Sequence, residues 1–179
     1  MIRSVLKNGN IGTLLDIQTS AADEIRKESD KRTINVISQA IPAANEVIVT
    51  GGALTDTALN QAISILEDME LSVKYIIMRG ARFNDMRSWD LDPQTKEELR
   101  VKGVIKVYAG ANIMLTSAAD PDEILLIPDK EVGKLPIREK LKSESIQKQL
   151  RFKTGWLIWS ELGQGITRPD IIAKVTIQP

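Results

Sequence analysis

The chain has 179 residues with 24 basic and 24 acidic side chains, so its formal net charge at neutral pH is zero. A general nucleic-acid binder needs a basic excess to displace counterions from phosphates, and this balance argues against that class. Cysteine and histidine are both absent. Their absence excludes disulfides, zinc–thiolate sites, a thiol nucleophile and the Ser-His and Cys-His mechanisms within one chain.

The composition is otherwise that of a folded domain. Hydrophobic residues make up 42% of the chain and charged residues 27%, which is typical of globular proteins rather than of disordered ones. The length fits one large domain or two small lobes with a common core. No stretch approaches the ~20 apolar residues of a membrane span, and the N-terminus has no apolar run typical of a signal peptide.

The N-terminal part of the chain predicts one charged helix. Residues 1–18 have no strong period and are expected to form a flexible segment. Thr19 or Ser20 is suited to cap a helix that begins at Ala21. Pro42 should end this helix, because the residue before a proline is pushed out of the α region. Three isoleucines near its end recur at helical spacing: Ile34, Ile37 and Ile41.

A strand–helix–strand unit follows. Residues 46–50 and 73–78 are rich in β-branched or aromatic side chains and predict two strands. Thr55 is suited to cap the helix between them. The apolar residues of this helix follow the helical repeat, which predicts one buried stripe packed on a sheet. These residues are Leu59, Ala62, Ile63, Leu66 and Met69.

The rest of the chain predicts short elements and then longer strands. Residues 81–89 predict a short helix, and Pro93 opens a second helical piece that Gly103 ends. Strands are predicted at residues 104–107, 113–116, 123–127, 150–159 and 171–177, with extended chain at residues 135–138. Turns are predicted at residues 109–111, 120–122 and 163–165.

Two sequence features suggest ligand sites, but we interpret both as turns. Gly51 and Gly52 lie between a strand and a helix, where helix N-termini bind phosphate. They match neither the dinucleotide pattern nor the P-loop pattern, and no lysine follows them. Asp120, Asp122 and Glu123 are carboxylates that could hold a cation, but they lack the spaced oxygen ligands of a calcium loop.

A basic stretch and two tryptophans mark the last third of the chain. Residues 130–153 contain eight basic and three acidic side chains, a local charge of +5. A solvated strand face, a charged junction between subunits and contact with DNA are the three interpretations that remain open. Trp156 and Trp159 are three positions apart on one strand and should point to opposite faces. We expect one to be buried and the other to contact a neighbouring copy.

The order of these elements resembles the C-terminal half of major capsid proteins of tailed double-stranded DNA phages. Those proteins have the Hong Kong-type capsid fold, which encapsulin nanocompartments also use. Each motif is weak alone, and the resemblance rests on their order across residues 20–177. The matching segments are residues 30–42, EVIVTGGALTDTAL at 46–59, IIMRGARFNDMRSW at 76–89, YAGANI at 108–113, GWLIWSELG at 155–163 and residues 166–175.

The resemblance implies an α+β fold with two lobes. Residues 19–127 are expected to form an axial lobe with a mixed sheet and helices. Residues 128–179 are expected to supply the long antiparallel strands of a peripheral lobe and the C-terminal strand. The implied function is structural and not enzymatic, without metal or cofactor. The protein is expected to assemble into pentamers and hexamers of an icosahedral shell that encloses DNA.

The resemblance also implies partners and contacts. Expected partners are copies of the chain, scaffolding, portal or decoration proteins, and packaged DNA through weak non-specific contact, with no membrane. The expected location is the virion capsid, after assembly in the host cytoplasm. Residues 90–103 should lie near a five- or six-fold axis and residues 140–148 near a three-fold junction. The candidate contact residues are Asp90, Asp92, Lys96, Arg100, Lys140, Lys142, Lys148 and Trp159.

Two alternatives stay open. An encapsulin-like shell would have the same fold, although no cargo-docking groove is evident in the sequence. A small α/β enzyme or ligand-binding domain could instead be built on residues 47–78. Full-length phage proteins of this type carry an N-terminal arm and an extended loop, which are missing or short here, so a fragment or a short variant is expected.

Overall fold

A computed structural model describes residues 11–91, 93, 95–97, 105–134, 137–148, 153–163 and 165–179. For residues 11–18, and for the strands at 137–148 and 153–162 apart from Lys142 and Glu144, the description covers the backbone. The chain falls into two compact units. The larger unit contains the described residues within 31–134 and 165–179, and the smaller unit contains those up to Asp30 and within 135–164.

The described residues form three helices, ten strands and two short 3₁₀ turns. The helices are α1 Ile11–Ala40, α2 Asp56–Glu67 and α3 Gly80–Arg87, and the 3₁₀ turns are Ala43–Asn45 and Pro169–Ile171. The strands are β1 Glu46–Thr50, β2 Val73–Met78, β3 Val107–Tyr108, β4 Ala111–Leu115, β5 Glu123–Pro128, β6 Gly133–Lys134, β7 Ile137–Lys148, β8 Lys153–Leu162, β9 Gly165–Ile166 and β10 Ala173–Gln178. Pro93 and residues 95–97 are also helical, as predicted. No described helix is both long and apolar enough to cross a membrane.

Helix α1 begins earlier than the sequence pattern predicted. It already includes Ile11, so Thr19 and Ser20 lie inside the helix rather than at its cap. Residues 11–18 of the predicted N-terminal segment are therefore helical. Serine and threonine favour caps but are tolerated in helix interiors, and Leu14 and Leu15 are strong helix formers. The helix ends at Ala40, two residues before Pro42, as predicted.

The larger unit is built on a six-stranded mixed sheet with the order β1-β10-β5-β2-β4-β3. Strand β1 is parallel to β10, and β2 is parallel to β4. Strand β5 runs antiparallel to both β10 and β2. The predicted strand–helix–strand unit is present, but β10 and β5 lie between its two strands. The local pattern predicted the elements and not this insertion, because strand order is set by pairing between distant segments.

The first face of the sheet, which we define as the face that contacts α2, carries the main hydrophobic core. The cap is as predicted, since the Thr55 hydroxyl accepts a hydrogen bond from the Ala58 backbone N–H at 3.3 Å. Met69 is an exception to the predicted stripe, because α2 ends at Glu67 and Met69 is exposed. The fully buried residues of this core include Leu59, Ala62, Leu66, Ile76, Met78, Ile124, Leu126 and Val175. Removing these side chains from water drives the formation of this layer.

The second face of the sheet contacts the end of α1. Ile37 and Ile41 are buried there with Leu125 and Ile172. Ile34, which precedes them at helical spacing, is half-buried against the same cluster. The isoleucine repeat predicted from the sequence is therefore the stripe that fixes the last turns of α1 to the sheet.

Two smaller ladders complete the described structure. Strands β7 and β8 form an antiparallel hairpin, with register shifts near Glu139. Strands β6 and β9 form a two-residue ladder within the larger unit. A Cβ atom on Gly133 would lie 2.6 Å from the Gly165 carbonyl oxygen, so a side chain at residue 133 would clash with the partner backbone.

The C-terminal strand belongs to the larger unit, which differs from the predicted domain ranges. Residues 128–179 were expected to share one lobe, but β10 pairs with β1 and β5 in the six-stranded sheet. Its buried side chains Ala173, Val175 and Ile177 join the main core. The chain therefore leaves the larger unit for the β7–β8 hairpin and then returns to it. Hydrophobic alternation in residues 171–177 predicted a strand but not its partners.

Candidate functional site

The segment after α3 contains four of the predicted contact residues. Asp90 is 97% exposed and forms an ion pair with Lys96, whose Nζ lies 2.6 Å from its carboxylate. The hydrogen bond from Lys96 holds the pKa of Asp90 below its usual range. Asp92 and Arg100 lie outside the described residues. The described charged groups of this loop are therefore at the surface rather than in the core.

The other four predicted contact residues lie on the β7–β8 hairpin. Lys140, Lys142 and Lys148 are in β7, and Trp159 is in β8. The backbone register pairs Lys142 with Trp159, which brings two of the predicted residues opposite each other. Lys142 is exposed. The side chains of the other three lie outside what the structure describes, so their role as contacts stays a prediction.

Arg82 of α3 connects two loops at the carboxyl end of the parallel strands, a role that sequence reasoning missed. Its Nε donates to the Pro121 carbonyl at 2.7 Å, and its Nη1 donates to the Gly52 carbonyl at 2.6 Å. The guanidinium also forms ion pairs with Asp85 and Asp122. The side chain is only 14% exposed, so these charge-assisted bonds are shielded from water. Apart from Asp85, its partners lie far from it in sequence, and no local motif marks them.

A second polar cluster fixes α1 to the second face of the sheet. Lys174 lies 3.2 Å from a Glu46 oxygen and 3.5 Å from a Glu123 oxygen, with only 13% of its side chain exposed. Thr176 donates a hydrogen bond to Glu46, and Ser38 of α1 donates one to Glu123, both at 2.5 Å. The hydrogen bond from Thr176, and then the Lys174 charge, lowers the pKa of Glu46 below its ordinary value.

Aromatic residues hold the start of α2 beside the loop after α3. Tyr108 donates a hydrogen bond to Asp56, and its ring packs edge-on against Trp89 with the centroids 5.9 Å apart. Burial, and then the bond to Asp56, raises the pKa of Tyr108 well above its usual range. The Trp89 indole donates to the Leu54 carbonyl at 3.2 Å. This raised pKa therefore has a structural cause in side-chain packing.

The two sequence features interpreted as turns are turns in the structure. Gly51 and Gly52 both have positive φ, and their N–H groups donate to the Gln178 carbonyl. The carboxylates of the second feature each have a separate partner. Asp120 accepts from the Asp122 backbone, while Asp122 and Glu123 pair with the clusters described above. Within the described part of the chain, no group of carboxylates is arranged to hold a metal ion.

An open groove runs along the exposed side of α2. Its volume is about 600 Å³, and it is shallow and mostly open to solvent. One wall is Val47 of β1, and the others are residues of α2 and the residue after it: Asp56, Thr57, Asn60, Gln61, Ser64, Ile65 and Asp68. The groove is therefore a surface feature of β1 and α2.

No protein-family model matches the sequence, and no curated protein matches it either. Solved structures do match. A structure from Mycobacterium phage Bobi has a TM-score of 0.74 at 11% identity and is matched over 98% of this chain and 68% of its own. A structure from Mycobacterium phage Che8 has a TM-score of 0.71 at 14% identity over 89% of this chain and 61% of its own.

The capsid structure of the cyanophage P-SCSP1u has a TM-score of 0.69 at 14% identity, over 99% of this chain and 69% of its own. The fold is that of the phage capsid proteins. The α+β class and the resemblance stated from the sequence are thereby confirmed at the level of the fold. This capsid fold also extends to the holo-SrpI encapsulin complex from Synechococcus elongatus PCC 7942, with a TM-score of 0.61 at 12% identity over 89% of this chain and 63% of that one. The chain spans 61–69% of the length of these structures.

Proposed function

We propose that this chain is a structural subunit of a phage-type capsid that assembles with copies of itself into a closed shell around DNA. The observation that supports this most is the capsid fold, which matches 89–99% of the chain in the phage structures. A shell subunit acts by burying surface against its copies, with stable contacts of roughly 1,600 Å² per pair. The proposed location is the virion capsid, after assembly in the host cytoplasm.

The scattered positions of the perturbed titratable groups favour a structural role over catalysis. Glu46, Lys74, Asp90 and Tyr108 have shifted pKa values, and each shift has its own local partner. An active site instead gathers such groups around one pocket. None of these four groups lines the groove along α2. That groove therefore gives the small-enzyme alternative no support.

We assign the larger unit to the axial lobe and the β7–β8 hairpin to the peripheral lobe. In this proposal the exposed Asp90–Lys96 loop faces copies around a five- or six-fold axis. The hairpin residues Lys140, Lys142 and Lys148 then lie at a three-fold junction, with Trp159 as the aromatic contact. Scaffolding, portal or decoration proteins are further proposed partners, and DNA contact remains weak and non-specific because the net charge is zero.

Light scattering on the purified chain, with negatively stained images of the same sample, tests the proposal. We expect rings, sheets or closed shells that grow with concentration. Changing Lys140 and Lys142 to Glu should weaken assembly at the three-fold junction, whereas Lys130→Glu, in an exposed turn, serves as the charge control. A strict monomer at every concentration would contradict the proposal for this chain.

An encapsulin-like shell is the second candidate, supported by the match to the encapsulin complex. Both candidates predict shells, so the enclosed material distinguishes them. Shells purified from cells and treated with nuclease should retain protected DNA if the capsid proposal is correct. Protected protein cargo without DNA would favour the encapsulin alternative instead.

A further inference from the structure

The chain passes between its two compact units at three points, which are after Asp30, after Lys134 and before Gly165. Each point lies within a few residues of a side chain that packs against one apolar cluster on the second face of the sheet. The larger unit therefore holds all three connections at one place. The buried members of this cluster are Ile37, Ile41, Leu125 and Ile172, and the half-buried members next to the three points are Ile34, Val132 and Ile166.

Two of the connections are bound to each other by the short β6–β9 ladder, which pairs residues 133–134 with residues 165–166. Next to this ladder the Val132 carbonyl accepts hydrogen bonds from two backbone N–H groups, that of Thr167 at 3.1 Å and that of Arg168 at 3.2 Å. We define residues 132–134 and 165–168 as the clasp. The clasp holds side by side the two chain segments that lead to and from the β7–β8 hairpin.

The two glycines of the clasp differ in the space around them. A Cβ atom on Gly133 would lie 2.6 Å from the Gly165 carbonyl oxygen and 3.2 Å from the Ile166 Cα, and both of these are backbone atoms. A Cβ atom on Gly165 would lie 3.9 Å from the Lys134 carbonyl oxygen, which is an ordinary van der Waals distance. Neither glycine has the positive φ that would itself disfavour alanine. The close approach of the two backbones therefore requires glycine at residue 133 and not at residue 165.

The apolar side chains of the clasp pack against the residues that fix α1. Val132 and Ile166 lie against the cluster that contains Ile37 of α1 and Ile41 just after it. In a cluster this small each side chain is kept from water by the others, so movement of one part exposes the rest. Contiguous groups of this kind open as cooperative local units, with a lower free energy than the whole domain.

We propose that the clasp and the last turns of α1 open and close together, as one local unfolding unit of the larger unit. Opening releases all three connections at once, while the core under α2 stays folded. The cluster is then a joint that ties the freedom of α1 to that of the two segments leading to the hairpin. This inference goes beyond the proposed function and does not depend on it.

Hydrogen exchange on two glycine variants of the full chain tests this joint. Gly133→Ala should force the backbones of the clasp apart and raise exchange about tenfold at the Thr167 and Arg168 amides. It should raise exchange by the same factor at residues 37–41, although the substitution is distant from them in sequence. Gly165→Ala is the matched control, because it adds the same side chain to the same ladder where there is room, and both groups of amides should exchange as in the wild type. Amides of α2 report on opening of the whole unit.

A second pair of variants tests the coupling from the side of α1, without any backbone clash. Ile37→Val removes one methyl group from the cluster, and it should raise exchange at the Thr167 and Arg168 amides by the same factor as at residues 37–41. Ile63→Val removes the same group from a similarly buried position in the core under α2. That control should leave the amides of the clasp as they are in the wild type.

Two outcomes would overturn the joint. Faster exchange confined to the clasp in Gly133→Ala, with residues 37–41 unchanged, would show that the ladder opens independently of α1. Equal increases in the clasp, in residues 37–41 and in α2 would show that the larger unit opens only as a whole. If Gly133→Ala does not fold, the comparison of Ile37→Val with Ile63→Val gives the answer. None of these results bears on shell assembly, which light scattering tests separately.

Discussion

The two faces of the six-stranded sheet are covered in different ways. The first face is covered by α2 and holds a continuous apolar core. The second face is covered by the end of α1, where a small isoleucine cluster lies beside the Lys174 charge cluster. Apolar burial is non-directional, whereas a polar cluster stabilises only when its members have defined geometry. The first face therefore supplies most of the stability, and the second fixes the position of α1.

Neighbouring leucines of β5 provide the most direct comparison of the two faces. Leu126 belongs to the core under α2, and Leu125 belongs to the cluster under α1. We expect Leu126→Ala to lower the free energy of unfolding by about 3–5 kcal/mol and Leu125→Ala by about 2–3 kcal/mol. The cavity left by Leu126→Ala would be enclosed on all sides. The end of α1 can instead move into the cavity left by Leu125→Ala. Urea unfolding at concentrations below assembly measures both values.

Hydrogen exchange on the same two variants checks the reason for that difference. Leu125→Ala should increase exchange in the last turns of α1, around Ile37 and Ile41, more than elsewhere. Leu126→Ala should increase exchange in α2 and in the strands beneath it. Equal losses of stability, with exchange raised uniformly in both variants, would show that the two faces form one inseparable core.

Two lysines that pair with carboxylates give the next comparison. Lys174 lies between two half-buried carboxylates, whereas Lys74 pairs with Asp129 at the surface. Lys174→Met should lower the free energy of unfolding by about 1–3 kcal/mol, because it leaves Glu46 and Glu123 partly buried without a cation. Lys74→Met should change stability little, since exposed ion pairs contribute weakly and are screened by salt. The same urea titrations, repeated at high salt, measure both variants.

The loss of stability caused by Lys174→Met should also persist at high salt. If the loss caused by Lys174→Met disappears in high salt, the cluster behaves as a surface ion pair and not as a shielded one. A loss that persists supports a structural role on the second face. Lys174→Arg keeps the charge but changes its geometry, and an intermediate loss would show that the positions of the two carboxylates matter.

The sequence predicted those parts of the fold in which the signal is local. The cap at Thr55, the stripe from Leu59 to Leu66 and the stop before Pro42 all depend on residues within a few positions of one another. Met69 also fits the helical repeat in the sequence, but α2 ends at Glu67 and Met69 is exposed. The start of α1 was missed because a possible cap at Thr19 does not outweigh helix-forming residues on both sides.

Features that depend on distant pairing could not be predicted from periodicity. The pairing of β10 with β1 joins segments more than 100 residues apart. Arg82 looks like any exposed arginine of a short helix, yet it binds carbonyls of two remote loops. Of the predicted contact residues, the structure pairs Asp90 with Lys96 and places Lys142 opposite Trp159. Family resemblance, and not residue spacing, suggested those residues.

The pH dependence of Glu46 is the smallest expected effect and tests the polar cluster directly. The folded state lowers the pKa of Glu46 from its ordinary value of 4.5, so its ionised form stabilises the fold above that pH. This contribution should be lost as the pH falls through the lower folded-state value. Glu46→Gln cannot titrate and should remove that part of the acid sensitivity. Asp90→Asn removes one partner of an exposed ion pair. It should therefore leave the loss of stability at low pH nearly unchanged in high salt.

The variant Thr176→Val shows whether Thr176 or Lys174 has the larger effect on the pKa of Glu46. The hydrogen bond from Thr176 is the largest single cause of the lowered pKa, so this variant should bring the pKa of Glu46 closer to its ordinary value. An NMR titration of the Glu46 carboxyl carbon measures that change without unfolding the protein. If the pKa of Glu46 moves only in Lys174→Met, charge dominates on this face. The second face would then depend on the lysine position rather than on the β10 hydroxyl.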